Sequence, residues 1–310
     1  MERVAEAAPV APAPKLEKAA VLPLIQAALK EDVGAKDLTS DALIGREQTA
    51  KADLVIRREG IVAGLPVAEW TFGQAEPKVR FKPMVRDGQK VYPGKAVAFI
   101  EGPARGILAA ERVALNFVGR LSGIATLTRA YVERTRGTGA KILDTRKTTP
   151  TLRLLERYAV AAGGGVNHRA GLYSQVLIKE NHLRLAGGVE KAVAQARAKV
   201  QKGTVVEVEV TNLQELRQAL AAGPDIILLD NMRLVEIQEA VRLRNAVAQK
   251  GPGRPGGPGR PGPYRPLLEV SGGVTLETAR AIALAGVERI SVGALTHSAP
   301  ALDMALEIVG

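Results

Sequence analysis

The 310-residue chain contains no cysteine and few aromatic residues, namely four Phe, five Tyr and one Trp. The lack of cysteine excludes disulfide bonds, thiolate nucleophiles and Cys-ligated metal sites. Because aromatic residues make up only 3% of the chain, its core must consist mostly of Leu, Val, Ile and Ala. No apolar run approaches the roughly 18 residues of a membrane-spanning helix, and residues 1–20 contain no apolar segment typical of a secretory signal. These absences predict a cytoplasmic protein that does not associate with membranes.

The formal net charge of +11 is compatible with nucleic-acid binding or with anionic small substrates. The sequence contains no long run of like charges and no basic segment interleaved with aromatic residues, which weighs against nucleic acid. We therefore predict no nucleic-acid partner, and we attribute the excess charge to anionic substrates and a solvated basic surface. A nucleic-acid-binding or scaffold protein is the alternative from another class. Binding whose salt dependence reflects several phosphate contacts would identify it.

The N-terminal part of the chain is predicted to be a disordered tail followed by an α/β domain. Residues 1–20 are rich in Ala and Pro, whereas residues 21–120 combine helical patterns with short alternating runs broken by turn formers. The predicted elements are helices at 22–30, 66–72 and 109–135, a strand pair at 50–64 that turns at Glu59-Gly60, and short strands between 79 and 108.

After residue 140 the pattern changes to strands that alternate with helices. This alternation predicts parallel βαβ units and a barrel or partial barrel. Catalytic groups of such barrels lie at the C-terminal ends of the strands, and the last loops often hold phosphate. A Pro/Gly/Arg-rich stretch at 251–266 offers no apolar face and is predicted to be a mobile loop. The strand-like runs end near Leu143, Ile178, Glu209, Asp230, Val270 and Val292, and the helical patterns cover 188–201, 212–222 and 232–249.

Five side chains that can carry positive charge cluster within residues 142–183, namely Arg146, Lys147, His168, Arg169 and Lys179. The two lysines and Arg146 follow short apolar runs, so each is expected at the end of a buried strand. Arg offers a planar fork that matches carboxylate or phosphate, and Lys offers a point charge. The cluster therefore predicts a ligand with several negative charges.

Carboxylates are predicted at the ends of two later strands. Glu207 and Glu209 are two residues apart in an apolar strand, so they share one strand face. They are either functional carboxylates or members of a structural ion pair, because buried acids are usually paired. Asp230 ends the next apolar strand.

Taken together, these residues closely resemble the quinolinate phosphoribosyltransferase family, from about residue 22 to the C-terminus. No single motif is specific, but the ordered set is. The matching motifs are Glu111-Arg112…Leu115-Asn116…Leu121-Ser122-Gly123-Ile124-Ala125-Thr126, Asp144-Thr145-Arg146-Lys147-Thr148-Thr149-Pro150, Gly163-Gly164-Gly165…Asn167-His168-Arg169, Ile178-Lys179-Glu180-Asn181-His182, Glu207-Val208-Glu209, Leu229-Asp230-Asn231, Ser271-Gly272-Gly273 and Ser291-Val292-Gly293-Ala294-Leu295-Thr296-His297-Ser298.

The resemblance implies an α/β protein with two domains. The first, at 21–120, would be an N-terminal α/β sandwich of the hammerhead-like kind. The second, at 121–310, would be an open α/β barrel of the type II phosphoribosyltransferase kind, with a last helix that packs back on the N-terminal domain. The implied activity converts quinolinate and phosphoribosyl pyrophosphate, with Mg²⁺, into nicotinate mononucleotide, pyrophosphate and CO₂ for NAD biosynthesis. The implied assembly is a homodimer, with a higher oligomer left open.

The resemblance also implies roles for individual residues, each carried over by motif. Quinolinate would be held by Arg146, His168, Arg169, Lys179 and an Arg112 donated across the dimer interface. Phosphoribosyl pyrophosphate would be held by Lys147, Glu209, Asp230, Ser271, Gly272, Gly273, Gly293 and Ala294, with Glu209 and Asp230 also ligating Mg²⁺, partly through water. Lys147, Lys179, Glu209 and Asp230 would be catalytic, while Thr145, Asn181, His182 and His297 would support the residues in direct contact.

Two other enzyme functions are alternatives: a related transferase acting on nicotinate, and a paralogue with another acceptor. The cluster of Arg146, His168 and Arg169 favours a dicarboxylate over a monocarboxylate. The 1–20 tail and the 251–266 insertion depart from the family pattern, but neither interrupts a matched motif. Once ribosylated, the pyridine ring of quinolinate is an electron sink, so we expect decarboxylation to require no dedicated general base.

Overall fold

The computed structural model describes residues 14–248 and 264–309. The chain divides into two compact units: the first comprises Met1–Arg129, Thr148–Gly165 and Ala294–Gly310, and the second Ala130–Lys147 and Val166–Gly293. No helix of the described segments is long and apolar enough to cross a membrane.

The first unit is built on an antiparallel sheet with the strand order β12 (Met304–Ile308), β1 (Thr49–Ile56), β5 (Ala96–Pro103) and β3 (Arg80–Pro83). In β1, Ala52, Leu54 and Ile56 alternate with more exposed residues and point into a core that Phe72 and Ile107 complete from two helices. The elements of this unit are α1 (Lys18–Val33), α2 (Leu38–Leu43), β1 (Thr49–Ile56), β2 (Gly60–Ile61), α3 (Leu65–Ala75), β3 (Arg80–Pro83), β4 (Lys90–Val91), β5 (Ala96–Pro103), most of α4 (Ala104–Arg134), α5 (Arg153–Ala162), α11 (Ala294–His297) and β12 (Met304–Ile308).

The second unit is built on a parallel sheet with the strand order β6 (Lys141–Leu143), β11 (Arg289–Ser291), β10 (Leu267–Ser271), β9 (Ile226–Asp230), β8 (Val206–Val210) and β7 (Val176–Ile178). Each of β7 to β10 lies beside the next strand in sequence, and β11 returns to lie beside β6. No ladder joins β6 to β7 among the described residues, so this sheet is a barrel left open at that seam. The remaining elements are β6 (Lys141–Leu143), β7 (Val176–Ile178), α6 (Glu180–Ala186), α7 (Val189–Lys199), β8 (Val206–Val210), α8 (Leu213–Ala222), β9 (Ile226–Asp230), α9 (Leu234–Ala248), β10 (Leu267–Ser271), α10 (Ala279–Leu284) and β11 (Arg289–Ser291).

The prediction of an open barrel is confirmed. The strands of the barrel end at or within two residues of the predicted positions, and α7, α8 and α9 fall within the predicted helical stretches. All five residues of β8 are buried, so both faces of this strand are covered. In a barrel the outer face of a strand packs against helices and the inner face against the side chains that fill the interior.

One prediction in the first unit is wrong. The expected strand pair at 50–64 does not form, because both edges of β1 are occupied by β5 and β12, and β2 pairs with β4 instead. The last helix, α11, belongs to the first unit, and the chain after it forms the strand β12, which pairs antiparallel with β1 so that Leu306 lies opposite Leu54. The C-terminal segment therefore returns to the first unit as a strand.

The predictions for the tail and the loop lie largely outside the described residues. Residues 1–13 and 251–263 cannot be compared with the predicted tail and mobile loop. Within the predicted tail, Lys18 already belongs to α1. At the far end of the predicted loop, the hydroxyl of Tyr264 donates a hydrogen bond to the carbonyl of Pro224 (2.9 Å).

Candidate active site

The parallel strands of the second unit deliver polar side chains to one edge of the sheet. Asp230 at the end of β9 lies opposite Ser271 at the end of β10, and Leu143 of β6 lies opposite Ser291 of β11. Because the strands are in register, groups that are far apart in sequence meet at their carboxyl ends. Most of the residues predicted to be catalytic or to bind substrate lie at this edge.

Lys179 and Glu209 form an ion pair at the ends of β7 and β8. The Glu209 side chain is 10% exposed and that of Lys179 is 48% exposed, so the carboxylate is sheltered while the ammonium faces solvent. Lys179 also begins α6, and its backbone N–H donates to Nδ1 of His182 (2.9 Å). A cavity of about 230 Å³ opens beside Glu209 and is lined by Thr211 and Glu215, among others.

Asp230 lies close enough to this pair for its ionisation to be affected. Partial burial, followed by the negative charge of Glu209, raises the pKa of Asp230. A hydrogen bond from Asn231 and the positive charges of Lys179 and Lys147 act in the opposite direction. The four residues predicted to be catalytic are therefore electrostatic neighbours: two carboxylates and two ammonium groups.

Arg146 and Arg169 place like charges near each other. Burial and then the positive charge of Arg146 lower the pKa of the Arg169 guanidinium. A guanidinium Nη1 of Arg169 donates to the carbonyl of Gln175 (3.3 Å), which orients the side chain. The negative charge of Glu207 acts in the opposite direction, and an anionic ligand would likewise offset the repulsion between the two arginines.

His168 is buried between two glutamates. Its Nε2 lies 3.3 Å from Oε2 of Glu207 and 3.2 Å from Oε1 of Glu269. Burial opposes a charge on the ring, and the amide N–H of Arg169, 2.7 Å from Nδ1, favours the neutral form. The hydrogen bonds to the two carboxylates outweigh these effects and raise the pKa of His168 to about 9.

Further polar groups complete the surroundings of His168. Arg289 donates to Oε2 of Glu269 (2.5 Å), and Gln175 donates to Oε2 of Glu207 (2.6 Å). The charges of Arg289 and a protonated His168 balance those of the two glutamates. With the nitrogens of its ring directed at protein groups, His168 is tied into the interior of the unit. Its predicted contact with quinolinate stays a prediction.

Asp144 anchors the segment that carries His168 and Arg169. Its carboxylate accepts hydrogen bonds from the backbone N–H of His168 (2.7 Å) and from the side-chain amide of Asn167 (2.6 Å). Asp144 follows β6 directly and precedes Arg146 by two residues. It therefore ties together the two stretches that supply the arginines.

The Ser-Gly-Gly turn after β10 requires glycine at its centre. Gly272 has φ +87°, and a Cβ there would overlap the side-chain amide of Asn231. Gly273 has φ +60° with open space where its side chain would be. The backbone of this turn is thus accessible to a ligand, as the predicted phosphate contact requires.

The remaining predicted residues lie in several places. Asn181 is exposed in the first turn of α6, and the hydroxyl of Thr145 accepts a hydrogen bond from the backbone N–H of Lys147 (3.1 Å). His297 ends α11 with Nδ1 2.6 Å from the hydroxyl of Ser298. Arg112 is exposed on α4 and, like Ala294, belongs to the first unit. The roles of these residues stay predictions.

Sequence reasoning missed the participation of Asp144 and Glu269. Asp144 was part of a matched motif, but no role was assigned to it. Glu269 is a lone acid in the apolar strand β10, with no exposed surface. That isolation was a usable signal, because a buried acid needs a partner. The partners, His168 and Arg289, are far away in sequence and so were not evident.

Comparisons with known proteins agree with this geometry. A family model described as the N-terminal domain of quinolinate phosphoribosyl transferase matches residues 37–122, and the model of its C-terminal domain matches residues 124–307. The chain belongs to the quinolinate phosphoribosyltransferase family. The predicted resemblance is therefore confirmed, and so is the two-domain fold that it implied.

Relatives and solved structures in the quinolinate phosphoribosyltransferase family match nearly the whole chain. A probable nicotinate-nucleotide pyrophosphorylase (carboxylating) of Bacillus subtilis is 40% identical over 278 residues, which cover 90% of this chain and 90% of the relative. A nicotinate-nucleotide pyrophosphorylase (carboxylating) of Mycobacterium leprae is 41% identical over 92% of this chain and 95% of its own length. The solved structure of the nicotinate-nucleotide pyrophosphorylase from Francisella tularensis has a TM-score of 0.86 at 38% identity and covers 97% of this chain and 100% of that one.

Proposed function

We propose that this chain transfers the phosphoribosyl group of phosphoribosyl pyrophosphate to quinolinate and releases pyrophosphate and CO₂, giving nicotinate mononucleotide. Family membership over both domains supports the reaction. The observation that carries the acceptor assignment is the placement of Arg169 within electrostatic reach of Arg146, on a segment that Asp144 ties to the stretch carrying Arg146. A dicarboxylate such as quinolinate would supply two negative charges.

In the proposed acceptor site, Arg146, Arg169 and Lys179 bind the carboxylates of quinolinate. His168 completes this site from its buried position, and Arg112 of the partner subunit contributes from across a homodimer interface. Bidentate contacts between guanidinium and carboxylate would fix the plane of the pyridine ring and aim its nitrogen at the ribose. Thr145, Asn181, His182 and His297 would keep the contacting side chains in place.

In the proposed donor site, Glu209 and Asp230 face the ribose while the glycine turn faces the phosphate. Backbone N–H groups of Ser271, Gly272 and Gly273, with those of Gly293 and Ala294, would bind the 5′-phosphate. Lys147 would neutralise the departing pyrophosphate. The open backbone at Gly273 and the close approach at Gly272 support this assignment.

The residues at the ends of β8 and β9 fit a magnesium ion. Glu209 and Asp230 offer carboxylate oxygens, the ligands that Mg²⁺ prefers, and partial burial followed by the charge of Glu209 raises the pKa of Asp230. When bound, Mg²⁺ would neutralise charge on the pyrophosphate oxygens.

The proposed chemistry breaks the bond between C1 of the ribose and the pyrophosphate oxygen and forms a bond from C1 to the pyridine nitrogen. The carboxylates of Glu209 and Asp230 oppose the positive charge that builds on the ribose. The ring nitrogen is then cationic, so the electrons of the breaking carboxylate bond flow into the ring, and a proton from water takes the vacant position. This step requires positioning by the arginines and no dedicated general base.

Assays with either acceptor test the reaction. Product formation would be followed from phosphoribosyl pyrophosphate and Mg²⁺ with quinolinate in one tube and nicotinate in the other. Nicotinate mononucleotide and CO₂ from quinolinate alone are expected. Turnover of nicotinate instead would overturn the acceptor assignment while leaving ribosyl transfer intact. This matters because the fold alone does not choose the acceptor: human nicotinic acid phosphoribosyltransferase shares it at a TM-score of 0.61 and 13% identity.

Mixed dimers of two inactive variants test whether each active site combines residues of both subunits. Chains with Arg112→Ala and chains with Lys147→Ala are each expected to be inactive alone. Mixed dimers would contain one intact site, so a random mixture should regain about a quarter of wild-type activity. No regained activity in verified mixed dimers would exclude Arg112 donation.

The cytoplasm is the proposed location of this activity. The cysteine-free composition fits a reducing compartment. Cell fractionation would check it, and recovery of the protein in another compartment would contradict it.

A further inference from the structure

A buried ion pair in the first unit links segments that adjoin both proposed substrate sites. Arg120 lies on α4 and Glu156 on α5, and Nη2 of Arg120 is 2.8 Å from Oε1 of Glu156. The Glu156 side chain has no exposed surface, and that of Arg120 is 27% exposed. A carboxylate buried this completely requires compensation from positive charge and hydrogen bonds.

On one side, Glu156 holds the loop that follows Arg146 and Lys147. Its Oε2 accepts the backbone N–H of Thr149 (3.1 Å), and its Oε1 accepts the hydroxyl of Thr149 (2.8 Å). Thr149 follows Lys147 by two residues. The same loop contains Thr151 with φ +68°, a conformation that a β-branched residue rarely adopts, so the loop depends on its surroundings for its shape.

On the other side, Arg120 holds the segment that follows the proposed phosphate loop. Its Nη1 donates to the carbonyl of Ala299 (2.9 Å), and its Nη2 donates to the carbonyl of Thr296. Thr296 is fully buried and follows Ala294 by two residues. The planar guanidinium can reach the carboxylate and these carbonyls at the same time, which a lysine ammonium could not do.

We propose that Arg120 and Glu156 are positioning residues that fix the Thr149 and Thr296 segments with respect to each other, and that this sets the acceptor and donor sites together. The proposal rests on the proposed function, since it takes Arg146 and Lys147 as acceptor and donor groups and Gly293-Ala294 as a phosphate loop. Neither Arg120 nor Glu156 needs to touch a substrate. Their effect on catalysis is carried by the two segments.

This role predicts a kinetic signature that direct contact would not give. Substitution of a residue that binds one substrate changes chiefly the KM for that substrate. A change in the pair displaces both segments, so the KM for quinolinate and the KM for phosphoribosyl pyrophosphate rise together. If the ion pair only stabilised the fold, its loss would lower the unfolding temperature and leave both KM values of the folded enzyme unchanged.

The test uses Glu156→Gln and Arg120→Lys in the full chain. Glu156→Gln keeps the side-chain shape and an acceptor for Thr149 but removes the charge, and Arg120→Lys keeps the charge but removes the fork. We expect each to raise both KM values by about tenfold, because small displacements of positioning groups are costly. The double variant is expected to be no worse than the more impaired single variant, since the pair acts as a unit.

Matched controls come from another ion pair of the first unit. Arg105 and Asp41 lie 2.7 Å apart, with the Asp41 side chain 46% exposed. Asp41→Asn and Arg105→Lys make the corresponding chemical changes and should leave both KM values within about twofold of wild type. All assays would be run well below the unfolding midpoint of each variant, with rates normalised to folded protein.

The outcomes separate this inference from the proposed function. Unchanged KM values in both Glu156→Gln and Arg120→Lys, or a change for one substrate alone, would overturn the positioning role. The proposed function would survive that result if Arg146→Met still raised the KM for quinolinate. An Arg146→Met enzyme that bound quinolinate normally would instead refute the acceptor assignment.

Discussion

Two glutamates on the same face of one strand have different surroundings. Glu207, near the middle of β8, is buried beside His168 and Gln175 within the second unit. Glu209, nearer the strand end, pairs with the half-exposed Lys179 and affects the ionisation of Asp230. A shift of two residues toward the end of a barrel strand thus separates an acid enclosed by partners in the interior from one paired with a half-exposed lysine at the edge of the sheet.

The largest expected effect is on turnover in Glu209→Gln. Removal of a carboxylate that opposes developing positive charge should lower kcat by about 10²- to 10³-fold. The unfolding midpoint should stay near that of wild type, because Glu209 lies at the edge of the sheet. Steady-state kinetics and thermal unfolding measure the two quantities. A Glu209→Gln enzyme that lost stability but kept its turnover would show that Glu209, like Glu207, serves the fold and not the reaction.

The next effect is on stability in Glu207→Gln. Loss of this charge leaves His168 and Arg289 to share Glu269, so the free energy of unfolding should fall by about 3 kcal/mol. Urea denaturation measures it, with Glu236→Gln on the surface of α9 as the control. A Glu207→Gln enzyme that kept full stability but lost turnover as severely as Glu209→Gln would show that the two acids share one role.

A smaller change is expected for acceptor binding in Arg146→Met. Loss of a charge-assisted contact with a carboxylate should raise the KM for quinolinate by about 10²-fold and leave the KM for phosphoribosyl pyrophosphate nearly unchanged. Arg233→Met, at an exposed arginine of the same unit, is the control. Equal changes for both substrates would mean that Arg146 is not confined to the acceptor site.

The smallest effect concerns the pH dependence of stability. The folded-state pKa of His168, raised to about 9, lies above its ordinary value of 6.5. Protonated His168 therefore stabilises the folded state, and this stabilisation is fully present below pH 6.5 and is lost as pH rises through 9. Between about pH 6 and pH 8 the loss should be about 2 kcal/mol. Urea denaturation at several pH values measures it, and His168→Gln should flatten this part of the profile. A profile unchanged by His168→Gln would indicate that the ring is neutral throughout.

The sequence was most informative where structure depends on local pattern. Apolar runs located the barrel strands, and the charged residue after each run then lay at the edge of the sheet because parallel strands end together. The glycine at position 272 was also found by motif, and the overlap with Asn231 explains why it is needed.

The sequence was least informative where structure depends on distant pairing. The edge of β1 is taken by β12, some 250 residues later, and nothing in the local pattern around either strand shows this. The roles of Glu269 and Glu156 likewise depend on partners from other elements, Arg289 and Arg120. The burial of an acid could be inferred from an apolar strand, but the identity of its partner could not.

The pairing of β12 with β1 has a consequence for synthesis on the ribosome. Translation at roughly 5–20 residues per second separates the two strands by tens of seconds. During that time one edge of β1 has no native partner, and an unpaired strand edge invites association with other chains. The first unit, although encoded mostly at the start of the chain, can be finished only after the last residues emerge.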